Sequence, residues 1–246
     1  MTTVVISQPY LFPWVGLFEQ IRLADIFVHY DDVAFSKGSF VNRVQIKTSR
    51  GSQWMSVPLA GRHLGDRILD LQSDDATDWR LQHLEELGRQ YSQAPYFREM
   101  MQIAEIIYGR KQEQEKLVQL LVEALDAVKA YFGIAKHTQF YRSSQLPVFG
   151  RSSQRVLDIV RYFSGDVYVT AHGAKNYLDH EAFEAAGVSV RYMDYERCPY
   201  PQLHGSFDPH VSILDLIANC GQTGRQYIAS TTIDWRDFMA RQRMAG

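Results

Sequence analysis

The feature that most constrains the fold is an early order of strand, loop, helix and strand. Residues 4–7 are apolar and β-branched, which predicts a short buried strand. Residues 15–24 carry apolar side chains at helical spacing, and residues 26–30 form a second β-rich run. Strands that alternate with helices in this way pair in parallel through right-handed crossovers. The opening of the chain therefore predicts a β-α-β unit.

A similar order returns in the second half of the chain. The sequence predicts a helix that is capped by Ser152 or Ser153 and runs to residue 163, and residues 167–170 predict a strand. A polar loop, a short helix over residues 179–186 and a strand over residues 188–193 follow. The predicted fold class is therefore α/β, with a mainly parallel or mixed sheet and flanking helices.

A different pattern separates these two units. Residues 40–48 and 53–59 predict a β-hairpin. Helical periodicity follows, and Gly109 is expected to divide its longest stretch into two helices. We therefore expect a single α/β domain over residues 1–246, with a helical insertion at about residues 78–135.

Polar side chains follow the first two predicted strands. Gln8 and Tyr10 come directly after the first strand, and Asp31 and Asp32 come after the second. Because ligands of parallel sheets bind outside the carboxyl ends of the strands, we expect these groups to line a site. An aspartate there can act as a base, bind Mg²⁺ or accept a hydrogen bond from a sugar hydroxyl. The alternatives are a rigid turn shaped by the nearby prolines and an Asx-turn.

Basic residues are candidates for holding phosphate or carboxylate groups. Lys37, Asn42 and Arg43 lie in a glycine-containing loop and at the start of the hairpin. Lysine and arginine there could hold a phosphate, and the asparagine a sugar hydroxyl. Arg155, near the start of a helix, and Lys175, after a strand, are further candidates for binding anions. The alternative for each group is a solvated surface.

Two histidines are candidate proton carriers, because this side chain titrates close to neutral pH. His172 lies in the loop after the strand over residues 167–170, and Tyr177 in the same loop is a candidate substrate-binding residue. His83 lies one helical turn after Trp79, on the same helix face. The alternatives are a surface loop for His172 and a position at the edge of the core for His83.

Charge and spacing argue against several classes of protein. A net charge of −2 gives no general attraction to nucleic acid. Cys198 and Cys220 match neither a zinc ribbon nor a disulfide framework, and the spacing of His204 and His210 fits no zinc motif, so we expect no metal. No apolar run is long enough to cross a membrane, and the first residues lack the pattern of a signal peptide. A cytoplasmic location is therefore predicted.

Several motifs together resemble those of the WbqC-like protein family, over nearly the whole chain. The most specific is the opening, Gln8-Pro9-Tyr10-x-x-Pro13-x-x-Gly16. Further matches are Asp31-Asp32-Val33, Lys37-Gly38, Asn42-Arg43, Trp79 with His83, Ala94-Pro95-Tyr96-Phe97, Gln154-Arg155, the Gly173/Lys175/Tyr177 loop and Phe207-x-Pro209-x-x-Ser212-Ile213-x-Asp215. Two positions depart from the family pattern: Ala174 replaces a frequent glycine, and Leu17 replaces a tyrosine.

Members of this family occur in bacterial surface-polysaccharide gene clusters, such as those for O-antigen. The resemblance implies a transferase that modifies a nucleotide-activated amino sugar, and we expect acyl or aminoacyl transfer to the sugar amine. The expected partners are a nucleotide sugar, a nucleotide or thioester-activated acyl donor, and a carrier protein. Asp31 or Asp32, with His83 or His172, would move protons.

Two alternatives stay open at this point. The opening is also distantly similar to nucleotidyltransferases, so a nucleotidyltransferase or adenylate-forming enzyme is the first alternative. The His-x-x-His element of those enzymes is missing here. The second alternative is a non-catalytic partner of a biosynthetic complex, with the helices between residues 98 and 132 as its docking surface.

Overall fold

A computed structural model describes residues 1–109 and 115–245. The strands within these residues are β1 (Thr3–Ser7), β2 (Ile26–His29), β3 (Arg43–Thr48), β4 (Gly51–Ser56), β5 (Gln139–Arg142), β6 (Val167–Thr170), β7 (Ser189–Asp194) and β8 (Thr231–Asp234). Six of them form one sheet in the order β5-β2-β1-β6-β7-β8, and β3 pairs with β4 in a separate antiparallel hairpin.

The main sheet is mixed. The first five strands in this order are parallel, and β8 joins β7 in the antiparallel direction. β1 lies inside the sheet, where Val4 is opposite Ile26 of β2 and Tyr168 of β6. β2 and β6 are buried along their whole length, as expected for parallel strands that are covered on both faces. The predicted α/β class is confirmed.

The helices of the described residues are α1 (Val15–Leu23), α2 (Trp79–Tyr91), α3 (Phe97–Tyr108), α4 (Leu117–Phe132), α5 (Ser152–Tyr162), α6 (His180–Ala185), α7 (Ile213–Cys220) and α8 (Trp235–Ala245). The predicted serine cap of α5 is wrong, because Arg151 occupies the N-cap position and makes no side-chain cap hydrogen bond. Ser153 Oγ instead accepts the backbone N–H of Asp179 at 2.8 Å. None of these helices is both long and apolar enough to span a membrane.

The helical stretch between the hairpin and β5 contains α2, α3 and α4. The predicted break at Gly109 is confirmed, because α3 ends at Tyr108 and Gly109 is its C-cap residue. A side chain at Gly109 would lie 2.6 Å from the carbonyl oxygen of Glu105, so glycine alone fits there. Residues 110–114, which the predicted insertion includes, lie outside the described part of the chain.

Hydrophobic clusters cover both faces of the sheet. Successive side chains of β1 point to opposite faces, so Val5 belongs to one cluster and Val4 and Ile6 to the other. The first cluster includes apolar residues of α1, α2, α3, α4, α7 and the hairpin. The second includes apolar residues of α5, α6 and α8. This arrangement leaves the carboxyl ends of the parallel strands free to form a site.

Candidate functional site

A cavity of about 610 Å³ lies at the carboxyl ends of β1, β2 and β6. We call it the polar cavity, and its lining includes Ser7, Gln8, Tyr10, Tyr30, Asp32, Arg151, Arg155, Thr170 and Tyr177. β1 contributes Ser7 directly and Gln8 just after it, while Tyr30 and Asp32 follow β2. Its position agrees with the general rule for ligands of parallel sheets. The structure therefore brings together Gln8, Tyr10, Asp32, Arg155 and Tyr177 of the predicted residues.

Asp32 and Arg155 form a bidentate ion pair in the wall of this cavity. Arg155 Nη1 lies 3.0 Å from Asp32 Oδ1, and Nη2 lies 2.6 Å from Oδ2. Ser143 Oγ also donates to Asp32 Oδ1, at 2.6 Å. Burial raises the pKa of Asp32, but the hydrogen bonds from Arg155 and Ser143 outweigh this and hold the pKa below its ordinary value. Asp32 is therefore an anion that fixes the guanidinium of Arg155.

Asp31 has a different environment, although it is the adjacent residue. Its carboxylate is fully buried and accepts hydrogen bonds from Arg142 Nε at 2.6 Å, Ser144 N at 3.0 Å and Ser144 Oγ at 2.9 Å. Arg142 ends β5, and Ser144 follows it. Asp31 therefore connects the end of β2 with the end of β5, while Asp32 lines the cavity.

Four tyrosine side chains line the polar cavity: Tyr10, Tyr30, Tyr168 and Tyr177. Burial raises the pKa of each phenol above its ordinary value, so all four are neutral at physiological pH. Tyr168 Oη donates to Thr170 Oγ1 at 3.3 Å. Neutral phenols can both donate and accept, which suits them to a ligand with several hydroxyl groups.

A second compartment of about 280 Å³ adjoins the polar cavity, and Ser7, Tyr10 and Gly173 line both. We call it the aromatic pocket, and its lining includes Tyr10, Trp14, Phe40, His172, Tyr195, Arg197 and His210. The ring of Trp14 lies 4.9 Å from that of Tyr195 and 5.2 Å from that of His210, measured between centroids. These rings suit an apolar or planar ligand group.

Gly16 allows the aromatic pocket to form. A Cβ atom on Gly16 would lie 2.3 Å from the ring of Trp14, so any side chain there would displace the indole. The spacing of Pro13, Trp14 and Gly16 after β1 is thus explained by the close approach of Trp14 to the first turn of α1.

His172 lines the aromatic pocket, and its neighbours Ala171 and Gly173 line both compartments. Its Nε2 lies 2.8 Å from the carbonyl oxygen of Met193. A carbonyl oxygen can only accept, so Nε2 carries the hydrogen, and Nδ1 of the neutral ring is left as an acceptor. This is the arrangement expected of a proton acceptor that is held in one orientation.

The other predicted histidine lies elsewhere. His83 on α2 packs against Trp79 and Tyr108, with ring centroids 5.2 Å apart in both pairs. Its Nε2 lies 3.2 Å from the carbonyl oxygen of Ser56, and burial lowers its pKa to about 4. Its surroundings are those of a core histidine between α2, α3 and the hairpin.

The remaining predicted residues, Lys37, Asn42, Arg43 and Lys175, line neither compartment. Asn42 Nδ2 donates to the carbonyl oxygen of Val57 at 2.9 Å. Arg43 lies over the ring of Trp54 at 4.0 Å and donates to backbone carbonyls of the preceding loop, in which Lys37 is exposed. Lys175 is exposed and donates to Gln242 at 2.7 Å. Their assignment to substrate binding stays a prediction.

Several site residues were missed in the sequence. Tyr30 could have been found, because it directly precedes Asp31 and Asp32 at the end of a predicted strand. Ser143 carried no such signal, because it follows β5, a strand without a clear local pattern in the sequence. In residues 1–109 and 115–245, no three His, Cys, Asp or Glu side chains form a group that could hold a metal ion.

Comparisons with known proteins agree with the motifs of the opening segment. The model of the WbqC-like protein family matches residues 8–227. The uncharacterized protein Rv1507c of Mycobacterium tuberculosis (strain H37Rv) is 32% identical over 229 residues, which cover 93% of this chain and 98% of that protein. No solved structure matches the chain. The chain belongs to the WbqC-like protein family.

Proposed function

We propose that this protein is a cytoplasmic transferase of bacterial surface-polysaccharide biosynthesis, which acylates the amine of a nucleotide-activated amino sugar. The observation that carries the proposal is the adjoining pair of compartments at the carboxyl end of the sheet, one polar and one aromatic. A transfer reaction needs two substrates held side by side. Compartments of different chemistry suit two substrates of different chemistry.

The polar cavity suits the nucleotide sugar. Its four neutral tyrosines can bond to sugar hydroxyls. Arg151 lines the cavity where α5 begins, and its guanidinium is suited to the oxygens of a diphosphate. Asp32 orients Arg155 in the same wall through the bidentate pair. Together these groups provide hydroxyl recognition and positive charge in one cavity.

The aromatic pocket suits the acyl part of a thioester donor, carried by coenzyme A or by a carrier protein. In the proposed reaction the sugar amine attacks the carbonyl carbon of the thioester. The new C–N bond forms and the C–S bond breaks. Nδ1 of His172 accepts the proton that the nitrogen loses and returns it to the departing thiolate. The position of His172 in the aromatic pocket, next to two residues that also line the polar cavity, supports this role.

The transfer assay mixes the full chain with UDP- or dTDP-linked amino sugars and a panel of acyl thioesters, and detects the acylated sugar by mass spectrometry. We expect His172→Gln to lower product formation at least about 100-fold, which is the usual contribution of a general base. Binding of the nucleotide sugar should change little. His63→Gln alters an exposed histidine and serves as the control. Absence of product with every donor, or full activity of His172→Gln, would refute the proposal.

Binding of the acceptor is tested separately, by calorimetry with the nucleotide sugar. Arg151→Gln should weaken binding about 10- to 100-fold, because a hydrogen bond to a charged group contributes roughly 1.5–3 kcal/mol. The control is Arg161→Gln. Arg161 is an exposed residue of α5, so this variant should bind the nucleotide sugar as tightly as the wild type does. Binding of ATP or CTP without binding of any nucleotide sugar would instead support a nucleotidyltransferase.

A further inference from the structure

Another cavity, of about 390 Å³, lies at the opposite end of the sheet from the candidate site. It is bordered by residues 22–25, which lead from α1 into β2, and by residues 133–138, which lead from α4 into β5. Both segments precede parallel strands, so this cavity lies at the amino ends of β2 and β5. It is therefore separate from the polar cavity and the aromatic pocket.

Positive charge predominates in the lining of this cavity. Arg22, Lys136 and Arg225 line it together with His137. Asp25 lines it as well, but its carboxylate already accepts the backbone N–H of Thr3 at 2.7 Å. The lining thus carries three positive charges and one carboxylate, and that carboxylate is already hydrogen-bonded to the backbone.

Two of these cations converge on Gly133. A Cβ atom built on Gly133 would lie 3.6 Å from Cε of Lys136 and 4.0 Å from Nη1 of Arg225. Among the described residues, neither side chain forms an ion pair or a hydrogen bond, whereas Arg22 donates to the carbonyl oxygen of Ser230 at 2.7 Å. Both side chains are exposed, and an anion bound between them would be attracted by both charges.

The backbone near these cations does not supply the missing acceptors. α4 ends beside the cavity, and its last carbonyl groups could have bonded the lysine or the arginine. The carbonyl oxygens of Ala130 and Lys129 accept the backbone N–H groups of Gly133 and Ile134 instead. Lys136 and Arg225 are therefore left available for a ligand.

We propose that this cavity binds a phosphate or pyrophosphate group, either free or as part of a phosphorylated metabolite. The planar guanidinium of Arg225 can bind two phosphate oxygens at once, and the ammonium of Lys136 adds a compact charge. Arg22 adds a third positive charge to the lining, and the ring of His137 offers a further hydrogen-bonding group. The inference does not depend on the proposed transferase reaction.

An NMR titration of the ¹⁵N-labelled full chain locates the ligand directly. The probes are inorganic phosphate, inorganic pyrophosphate and glycerol 3-phosphate. We expect saturable shifts of the backbone amide signals of residues 133–138 and of Arg225. If inorganic phosphate or pyrophosphate saturates the shifts, a free anion is sufficient as the ligand of this cavity. If only glycerol 3-phosphate saturates them, the ligand is a phosphate ester. Shifts confined to the polar cavity, or shifts that never saturate, would overturn the proposal.

Calorimetry with pyrophosphate then tests the two cations. The double variant Lys136→Gln/Arg225→Gln should bind at least tenfold more weakly than the wild type at this site. Arg50→Gln/Arg161→Gln removes two exposed charges elsewhere and should leave the affinity unchanged. Equal affinity of the two double variants would overturn the proposal. If a variant fails to fold, the NMR titration of the wild type still tests whether the anion binds here.

Discussion

Asp31 and Asp32 show how much a residue's role depends on distant partners. Both follow β2, and the rule for parallel sheets predicted that this polar pair would lie near a site. The two carboxylates differ in their arginine partners: Arg142 of the unpredicted β5 holds Asp31 from 111 residues away, and Arg155 holds Asp32 from 123 residues away. Local sequence could therefore identify the pair but could not choose between its members.

Asp215 is a second carboxylate whose state depends on burial. It is fully buried on α7, and its Oδ2 accepts the hydroxyl of Tyr91 at 2.9 Å. Burial raises the pKa of Asp215 to about 6, although hydrogen bonds from Tyr91 and Tyr200 and the charge of Lys47 partly oppose this. The folded protein therefore retains a proton that the unfolded chain has lost between about pH 4 and pH 6.

We predict that Asp215→Asn changes how stability depends on pH. Because the folded state holds more protons, the contribution of Asp215 to stability falls as the pH rises through this window. Asparagine does not titrate, so the variant does not lose this contribution to stability. The free energy of unfolding of the variant, relative to that of the wild type, should therefore rise by up to about 3 kcal/mol between pH 4 and pH 7. Urea unfolding at both values measures it. An equal difference at both pH values would contradict the assignment.

His83 is expected to change the pH dependence of stability in the opposite direction to Asp215. Burial lowers its pKa to about 4, so the unfolded chain takes up a proton before the folded protein does. The contribution of His83 is therefore present above about pH 6.5 and is lost as the pH falls towards 4. We predict that His83→Gln, which retains a donor for the Ser56 carbonyl, loses less stability between pH 7 and pH 4.5 than the wild type.

Urea midpoints at the two pH values measure this prediction for His83. His63→Gln is the control, because His63 is 83% exposed and should leave the acid-induced loss unchanged. Equal losses in His83→Gln and the wild type would show that His83 is not the buried neutral group described above.

At the scale of elements, the strands that the sequence revealed are those with strong local patterns. β1, β2 and β6 contain short apolar runs, which are the usual signature of buried parallel strands, and in β7 the buried Val190 and Tyr192 alternate with polar residues. β5 and β8 have four residues each, none of them fully buried. They lie at the two edges of the sheet and are strands because they pair with β2 and β7. Such pairing is a tertiary property that a local pattern does not record.

The pair of Asp32 and Arg155 connects two elements, the end of β2 and the start of α5. We predict that Arg155→Lys destabilises the protein by about 2 kcal/mol, because a lysine cannot reproduce the bidentate geometry. The side chain of Asp32 is 16% exposed, and this partial contact with solvent limits the loss. Denaturant unfolding measures the effect, and Arg161→Lys on the same helix is the control. Equal stabilities of the two variants would show that the second guanidinium contact is dispensable.

At the scale of the whole molecule, one hydrophobic cluster joins the sheet to the helices between the hairpin and β5. Val5 of β1 and Phe27 of β2 share it with Met100 of α3 and with Leu121 and Phe132 of α4. We therefore propose that the helical insertion and the sheet form one domain. If they share a core in this way, they should unfold together.

Met100→Ala tests this cooperation, because Met100 is completely buried on the helical side of the shared cluster. Truncation of a buried methionine costs about 2–5 kcal/mol. We predict that the loss appears equally in the unfolding of the sheet and of the helices. Hydrogen exchange in β1, α3 and α4 should report the same decrease, because each element opens with the whole molecule. Met244→Ala, at an exposed position, should change none of them. A decrease confined to α3 and α4 would mean that the insertion is an independent unit with its own core.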